Sequence, residues 1–269
     1  GHQMDRRVRS IGFVALDLRE VAELLAPDDA MEPYLNEDGS SIFPEDPYPG
    51  DHYSAQPMPH ATYAAMVSRL DRDVGRILER LRKHGIAENT IVFFTSDNGP
   101  HDAGGYDPAY LDGNGRLRGI KRDLYEGGIR VPMIAWGPGR VPSGRTSDAV
   151  WAQWDFLPTA AEIAGVKEIP PQIDGISFWP EIQGNSEQQE QHKYLYWEYY
   201  PRGSSQAVRM GDWKGVRQPM FEGEMELYDL STDVSEQNNV ADQHPDLVKR
   251  IETIMEEAHE PSEIWSVDG

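Results

Sequence analysis

Cysteine is absent from the 269 residues of this chain, so disulfide bonds and thiol chemistry are excluded. Long apolar runs are absent as well. None approaches the roughly eighteen residues of a membrane span, and we find no signal-peptide pattern. We therefore expect a soluble chain without a membrane partner. The lack of cysteine does not fix the compartment, which stays unknown.

Basic residues are scarce. The chain has 25 lysines and arginines against 46 aspartates and glutamates, and its formal net charge is −21. Such an excess repels nucleic acid and anionic lipid, so neither is expected as a partner. The hydrophobic content of 38% is enough for a sizeable core in one or two domains.

An apolar run followed by polar side chains lies between residues 91 and 101. Residues 91–94 are Ile-Val-Phe-Phe, which predicts a buried strand because β-branched and aromatic residues fill it without a helical period. Asp97 and Asn98 follow, and Gly99 and Pro100 then turn the backbone away. Adjacent oxygen-bearing side chains at a strand end suit a hard cation, so Asp97 and Asn98 are the predicted metal ligands.

A lone lysine, Lys121, precedes a glycine-rich turn further along the chain. The turn and the residues after it read Tyr-Glu-Gly-Gly-Ile-Arg-Val-Pro from Tyr125 to Pro132. A lysine beside a bound cation is costly unless an anion lies between them. The two motifs together therefore predict a bound oxyanion near Lys121.

These motifs resemble the second half of the type I sulfatases, the arylsulfatase family of the alkaline phosphatase superfamily. The resemblance runs from about Glu23 to the C-terminus. It implies a sulfate ester hydrolase that acts on a sulfated small molecule or glycan, and relatives of this kind are often periplasmic or secreted. It also implies that Asp97 and Asn98 bind Ca²⁺ and that Lys121 holds a sulfate oxygen.

The family's nucleophile motif is missing. Type I sulfatases use a formylglycine made from the Cys or Ser that opens a C-x-P-S-R type motif, and without cysteine the Cys-derived form is not possible here. The family's early Asp-Asp ligands and later Lys-x-His motif are missing too. The resemblance thus implies a truncated, C-terminal half of a sulfatase, in which two ligands bind calcium only weakly.

Four further residues are candidates for the site. Ser205 opens a loose S-x-A-x-R match and is a candidate nucleophile, although its position predicts an exposed turn entering a strand. The candidate substrate-binding residues are His101, Glu198 and Arg209. The alternative for His101 is a hydrogen-bonded loop histidine, and the alternative for Glu198 and Arg209 is a structural ion pair.

Three other polar residues are assigned structural roles. Arg118 and Arg122 are expected to pair with nearby acids. Asp155 is expected to cap the N-terminus of a helix over residues 154–164.

The periodicity predicts an α/β fold in three parts. An irregular segment (1–59) comes first. An α/β core (60–185) follows, which is predicted to be part of a sulfatase-like mixed sheet flanked by helices. A long helix opens this core and runs from Pro59 or His60 to Gly85. A small α+β subdomain (186–269) follows, with an antiparallel sheet and one helix. The predicted strands there are 194–199, 206–210, 213–217 and 226–230, and Pro245 opens the helix.

Three functions fit these observations. The first is a sulfatase-like hydrolase that lacks its nucleophile. The second is a hydrolase of carboxylic or phosphate esters at the remnant metal site, and the third is a non-catalytic binding or assembly module. Because half of a doubly covered sheet would leave residues 91–94 and 131–136 exposed, we also expect a homo-oligomer.

Overall fold

The computed structural model describes residues 24–201 and 203–262. The first 23 residues of the predicted irregular segment lie outside this part. The helices are α1 (Asp28–Met31), α2 (Pro59–Lys83), α3 (Glu126–Ile129), α4 (Phe156–Ala164), α5 (Trp179–Gln183) and α6 (Pro245–Ala258). The strands are β1 (Val92–Thr95), β2 (Met133–Trp136), β3 (Leu195–Tyr199), β4 (Ser205–Met210), β5 (Trp213–Arg217) and β6 (Met225–Asp229).

Helix α2 confirms the long helix predicted from the apolar stripe. Its first N–H groups are bonded by a residue from the preceding loop, because the Glu45 carboxylate accepts from the N–H groups of His60 and Ala61, both at 2.9 Å. Such bonds satisfy donors that a helix start leaves without partners. Gly85, with φ of 66°, follows the end of the helix. Residues 24–58 are largely irregular, as predicted, and pack on α2 through Met31.

Strands β1 and β2 form a two-stranded antiparallel sheet. On one face Phe93 packs against the rings of Phe156 and Phe178. On the other face Phe94 is 36% exposed and its neighbour Ile134 is 60% exposed. The buried strand predicted at residues 91–94 is therefore buried on one face only, and the exposure of the other face agrees with the expectation for half of a doubly covered sheet, because no element in residues 24–201 or 203–262 covers it.

The C-terminal part is a four-stranded antiparallel sheet in the order β3-β4-β5-β6, with α6 packed on one face. Val208 and Leu227 of the sheet contact Ile251 and Met255 of the helix in one buried cluster. Burial of these side chains holds the helix on the sheet. The predicted antiparallel sheet and single helix are confirmed, and so is the α/β class of the whole. Within the described ranges, no helix has the length and apolar character needed to cross a membrane.

Candidate functional site

Two loops are held together by backbone hydrogen bonds where β1 ends. The N–H of Gly99 donates to the carbonyl oxygen of Gly128 at 2.9 Å, and the N–H of Lys121 donates to that of Pro100 at 2.7 Å. The loop after β1 is thereby fixed against the turn that precedes α3. The sequence motifs that are separated along the chain meet in space.

The predicted metal ligands and the lysine line one groove. Its volume is about 920 Å³, and Asp97, Asn98 and Lys121 all contribute to its wall. Away from these polar groups the groove is mostly apolar, with walls from Ile129, Ile134, Val150, Trp151, Trp154 and Trp197. The structure therefore brings together three of the residues predicted from sequence.

Glycine is required where the two loops touch. A Cβ on Gly99 would lie 1.8 Å from the carbonyl oxygen of Gly127, and one on Gly128 would lie 2.1 Å from that of Asp123. Both contacts are with backbone atoms, so no side-chain rotation relieves them. Gly99 thus lets the loop after β1 approach α3 closely, and Gly128 lets α3 lie against the preceding residues 120–123 of its own segment.

Asp97 and Asn98 are the groups of the groove predicted to bind calcium, and their side chains offer oxygen ligands. The amide nitrogen of Asn98 donates to the carbonyl oxygen of Gly99 at 3.1 Å, which leaves the amide oxygen available as a ligand. The ligand type suits calcium, which prefers six to eight oxygens. Asp97 and Asn98 supply two such ligands, and the part of the chain described contains no group of three or more His, Cys, Asp or Glu side chains placed to hold a metal ion. Calcium binding stays a prediction.

His101 follows Asn98 by three residues but does not line the groove, and its ring is held by hydrogen bonds. Its Nδ1 is 2.8 Å from the carboxylate of Asp102, and its Nε2 is 3.5 Å from the hydroxyl of Tyr53. Burial lowers the pKa of His101, and the charges of Arg122 and Lys121 lower it further, while Asp102 acts in the opposite direction. The histidine is therefore neutral at pH 7. Its hydrogen bonds fit the alternative of an ordered loop histidine, and its role in substrate binding stays a prediction.

A buried charged cluster connects the glycine-rich turn to the C-terminal sheet. We call Glu126, Arg209, Lys214 and Glu236 the Glu126 cluster. The carboxylate of Glu126 is 2.9 Å from Lys214 Nζ and 3.0 Å from Arg209 Nη1, and its own N–H donates to Glu236 at 2.7 Å. Burial acts to raise the pKa of Glu126, but Lys214 and Arg209 outweigh it and the pKa is lowered.

Arg209 takes part in both the groove and the Glu126 cluster. It contributes to the groove wall, and its guanidinium is paired with a carboxylate that is 1% exposed. The structural ion pair expected as its alternative role is confirmed. A role in substrate binding stays a prediction for this residue.

Glu236 has no exposed surface, and one of its carboxylate oxygens has no hydrogen-bond partner among the described residues. Burial raises its pKa from 4.5 to about 7, although Lys214 acts to lower it. The folded state therefore binds this proton more tightly than the unfolded state does. The resulting stability is complete below about pH 4.5 and is lost as the pH rises through about 7.

We expect Glu236→Gln to stabilise the protein at alkaline pH. The substitution removes the carboxylate that must ionise while buried, and the side-chain carbonyl of Gln can still accept the N–H of Glu126. The gain is up to about 3 kcal/mol at pH 8 and close to zero near pH 4.5. Urea unfolding at both pH values measures it, with the exposed Glu224→Gln as control. Equal stability of the Gln variant and the parent at pH 8 would contradict the raised pKa.

The structure corrects the prediction for Glu198. Its register partner is Gln206, on the face of the sheet opposite to Arg209 and the groove. There its carboxylate accepts from the hydroxyls of Tyr196 and Tyr200 and lies 2.7 Å from His259 Nδ1. Side chains alternate between faces along a strand, so Glu198 is not brought to the groove.

Ser205 is also placed differently from its prediction. It lies inside β4 and is 5% exposed, not in an exposed turn. Its hydroxyl donates to the carbonyl oxygen of Tyr199 at 3.5 Å, and no hydrogen bond joins it to a base among the residues described. The geometry gives no support to Ser205 as a nucleophile.

Asp155 does not cap α4 as predicted. It is fully buried, and its carboxylate accepts from the N–H groups of Ala152 and Ile176 at 2.8 and 2.9 Å and contacts His192 Nε2 at 2.8 Å. It therefore joins three separate segments of the chain.

The two arginines expected to form ion pairs differ. Arg118 lies 3.8 Å from Glu226, as expected, whereas Arg122 has no acidic partner in the described structure.

The fold and the groove together define an α/β protein of the sulfatase type. The sequence model of the sulfatase family matches residues 36–166, and the model described as N-sulphoglucosamine sulphohydrolase, C-terminal, matches residues 120–261. The chain belongs to the sulfatase family.

Three relatives show the extent of the similarity. The uncharacterized sulfatase YdeN of Escherichia coli K12 is 31% identical over 236 residues, which cover 72% of this chain and 40% of YdeN. The structure of Ps i-CgsB in complex with k-i-k-neocarrahexaose has a TM-score of 0.68 and 29% identity, covering 87% of this chain and 46% of that one. BT4656 in complex with its substrate D-glucosamine-2-N,6-O-disulfate has a TM-score of 0.60 and 27% identity, covering 75% of this chain and 40% of BT4656. The chain thus spans less than half the length of each relative.

Proposed function

We propose that the groove holds the sulfate group of a sulfated carbohydrate. Lys121 donates to a sulfate oxygen, and Asp97 and Asn98 supply two of the oxygen ligands of a calcium ion. The observation that carries this proposal is that these three side chains line one groove beside a rigid turn. The complexes of i-CgsB with a carbohydrate and of BT4656 with a disulfated sugar support it by similarity.

The chain has no identified nucleophile for the cleavage of a sulfate ester. Cysteine is absent from the sequence, and the candidate nucleophile Ser205 is buried within a strand. We therefore expect the 269-residue chain to bind sulfated sugars without cleaving them. The face around Phe94 and Ile134 is exposed, which supports a site that lacks part of its family's sheet. The same exposure supports a homo-oligomer in which a second copy of the chain covers this face.

Calorimetry with glucosamine 6-O-sulfate tests the binding site. We expect the parent chain to bind the sulfated sugar in preference to glucosamine, and more tightly with calcium than with a chelator. Lys121→Ala should weaken binding by about tenfold or more, because a charge-assisted hydrogen bond contributes roughly 1.5–3 kcal/mol. Asp97→Ala should remove the effect of calcium.

A matched control is Lys83→Ala, an exposed lysine at the end of α2 that does not line the groove. Its affinity should equal that of the parent. Equal binding of glucosamine and its 6-O-sulfate would contradict the proposed function.

Hydrolysis assays separate binding from catalysis. The parent should not cleave chromogenic sulfate, phosphate or carboxylic esters, with or without calcium. Sulfate ester cleavage that is lost in both Asp97→Ala and Lys121→Ala would show an active sulfatase site with another nucleophile. Cleavage of only phosphate or carboxylic esters would instead favour the alternative hydrolase.

A further inference from the structure

Two neighbouring cations in the groove lack counter-charges. Lys121 and Arg122 are both partly buried, and neither has a salt bridge or hydrogen bond from its side chain within the described residues. Every other lysine or arginine in that part of the chain is either exposed or bonded to an acid or to other polar groups. The pair is conspicuous in a chain whose net charge is −21.

Partial burial of an unpaired cation costs free energy, and two adjacent cations also repel each other. A single sulfate group bound by Lys121 leaves the charge of Arg122 uncompensated. A ligand with a second negative group would compensate both charges. The two cations without a bonded acid therefore favour a dianionic ligand over a monoanionic one at this point of the groove, although the charged residues of the whole lining balance, with five cations and five acids.

The backbone holds Arg122 in place at a cost. Its φ is 86°, in the left-handed region that favours glycine. The turn is fixed on both sides, because the N–H of Lys121 bonds to Pro100 and the N–H of Ile120 donates to the Asp123 carboxylate at 2.8 Å. Strained residues of this kind concentrate where a ligand is positioned. The side chains of Lys121 and Arg122 both line the groove beside Asp97 and Asn98.

We propose that Arg122 forms a second anion subsite beside Lys121, so that the groove selects sugars with two negative groups, such as a disulfated or a sulfated and carboxylated sugar. This inference rests on the proposed function, in which Lys121 holds the first sulfate. Arg122 then determines specificity and is separate from the metal ligands. Its planar guanidinium can form two parallel hydrogen bonds to one sulfate or carboxylate.

Calorimetry with the 269-residue chain tests this subsite. The probes are glucosamine 6-O-sulfate and glucosamine 2-N,6-O-disulfate. The parent should bind the disulfate about tenfold or more tightly than the monosulfate. Arg122→Gln should remove this preference and leave the affinity for the monosulfate within about twofold, whereas Lys121→Ala should weaken binding of both sugars.

Two further variants guard against misfolding and against a general charge effect. Arg122→Gly suits the left-handed backbone, so it should keep the fold while losing the preference. Arg116→Gln removes an exposed arginine outside the groove and should leave the preference unchanged. A disulfate preference that persists in both Arg122 variants, or a parent that binds the two sugars equally, would overturn the subsite and leave the proposed function standing. A parent that binds neither sugar would overturn both.

Discussion

Gly99→Ala is expected to destabilise the protein by at least about 3 kcal/mol and to abolish sugar binding in the groove. The added Cβ would lie 1.8 Å from the carbonyl oxygen of Gly127. Because the obstacle is backbone, the two loops must separate, which also breaks the 2.9 Å hydrogen bond from Gly99 to Gly128. Urea unfolding followed by circular dichroism measures the loss of stability.

Gly75→Ala is the matched control. Gly75 lies inside α2, and a Cβ there meets no atom within 4 Å. Alanine is favoured over glycine in a helix by up to about 1 kcal/mol, so this variant should be more stable than the parent. If Gly99→Ala unfolds at the same urea concentration as the parent, the close packing of the two loops is refuted.

Lys214→Met is expected to destabilise the fold by about 3–5 kcal/mol. Lys214 has no exposed side-chain surface, and it is the 2.9 Å partner of Glu126, which is 1% exposed. Its removal leaves the buried carboxylates of Glu126 and Glu236 close together with less compensating charge. Removal of one member of a buried pair is costly for this reason, even where the pair as a whole adds little.

A double-mutant cycle separates the charge effect from lost packing. Glu126→Gln combined with Lys214→Met should be less destabilised than the sum of the two single variants, because no unpaired charge from the pair remains. The exposed Lys193→Met should leave stability within about 0.5 kcal/mol. Simple additivity of the two substitutions would show that the Glu126 cluster is not energetically coupled.

Local pattern was sufficient to predict much of the fold. Strands β3 to β6 lie within one or two residues of their predicted bounds. The alternation of side chains along a strand and the turn at Gly211 are local signals, which a few neighbouring residues are enough to define. The bounds of α2 and α6 follow from periodicity in the same way. The exposure of one face of β1 and β2 was expected only from the family resemblance, since it depends on what packs over Phe94 and Ile134 and not on their own sequence.

The meeting of Asp97, Asn98 and Lys121 was predicted from the chemistry of the two motifs and from the family resemblance. Their spacing alone carries no information on how two loops approach each other. The Glu126 cluster was missed altogether, because Glu126 and Lys214 are 88 positions apart in sequence. No pattern around Glu126 in the sequence indicates which side chains lie against it.

Glu198 shows where more could have been read from the sequence. Leu195, Trp197 and Tyr199 alternate with Tyr196 and Glu198, so Glu198 had to face away from the apolar side chains that line the groove. Which face meets the groove depends on the register with β4, and that was available only from the structure.

The Glu126 cluster also bears on how this part of the family can change through evolution. Residues 183–191 read Gln-Gly-Asn-Ser-Glu-Gln-Gln-Glu-Gln, a polar stretch at the predicted subdomain boundary, but Lys214 and Arg209 lie on one side of it and Glu126 on the other. A gene fusion or exchange at that boundary would deliver buried cations without their carboxylate. The glycine-rich turn and the C-terminal sheet must therefore be inherited together, and recombination at this point is tolerated only between chains that carry the same cluster.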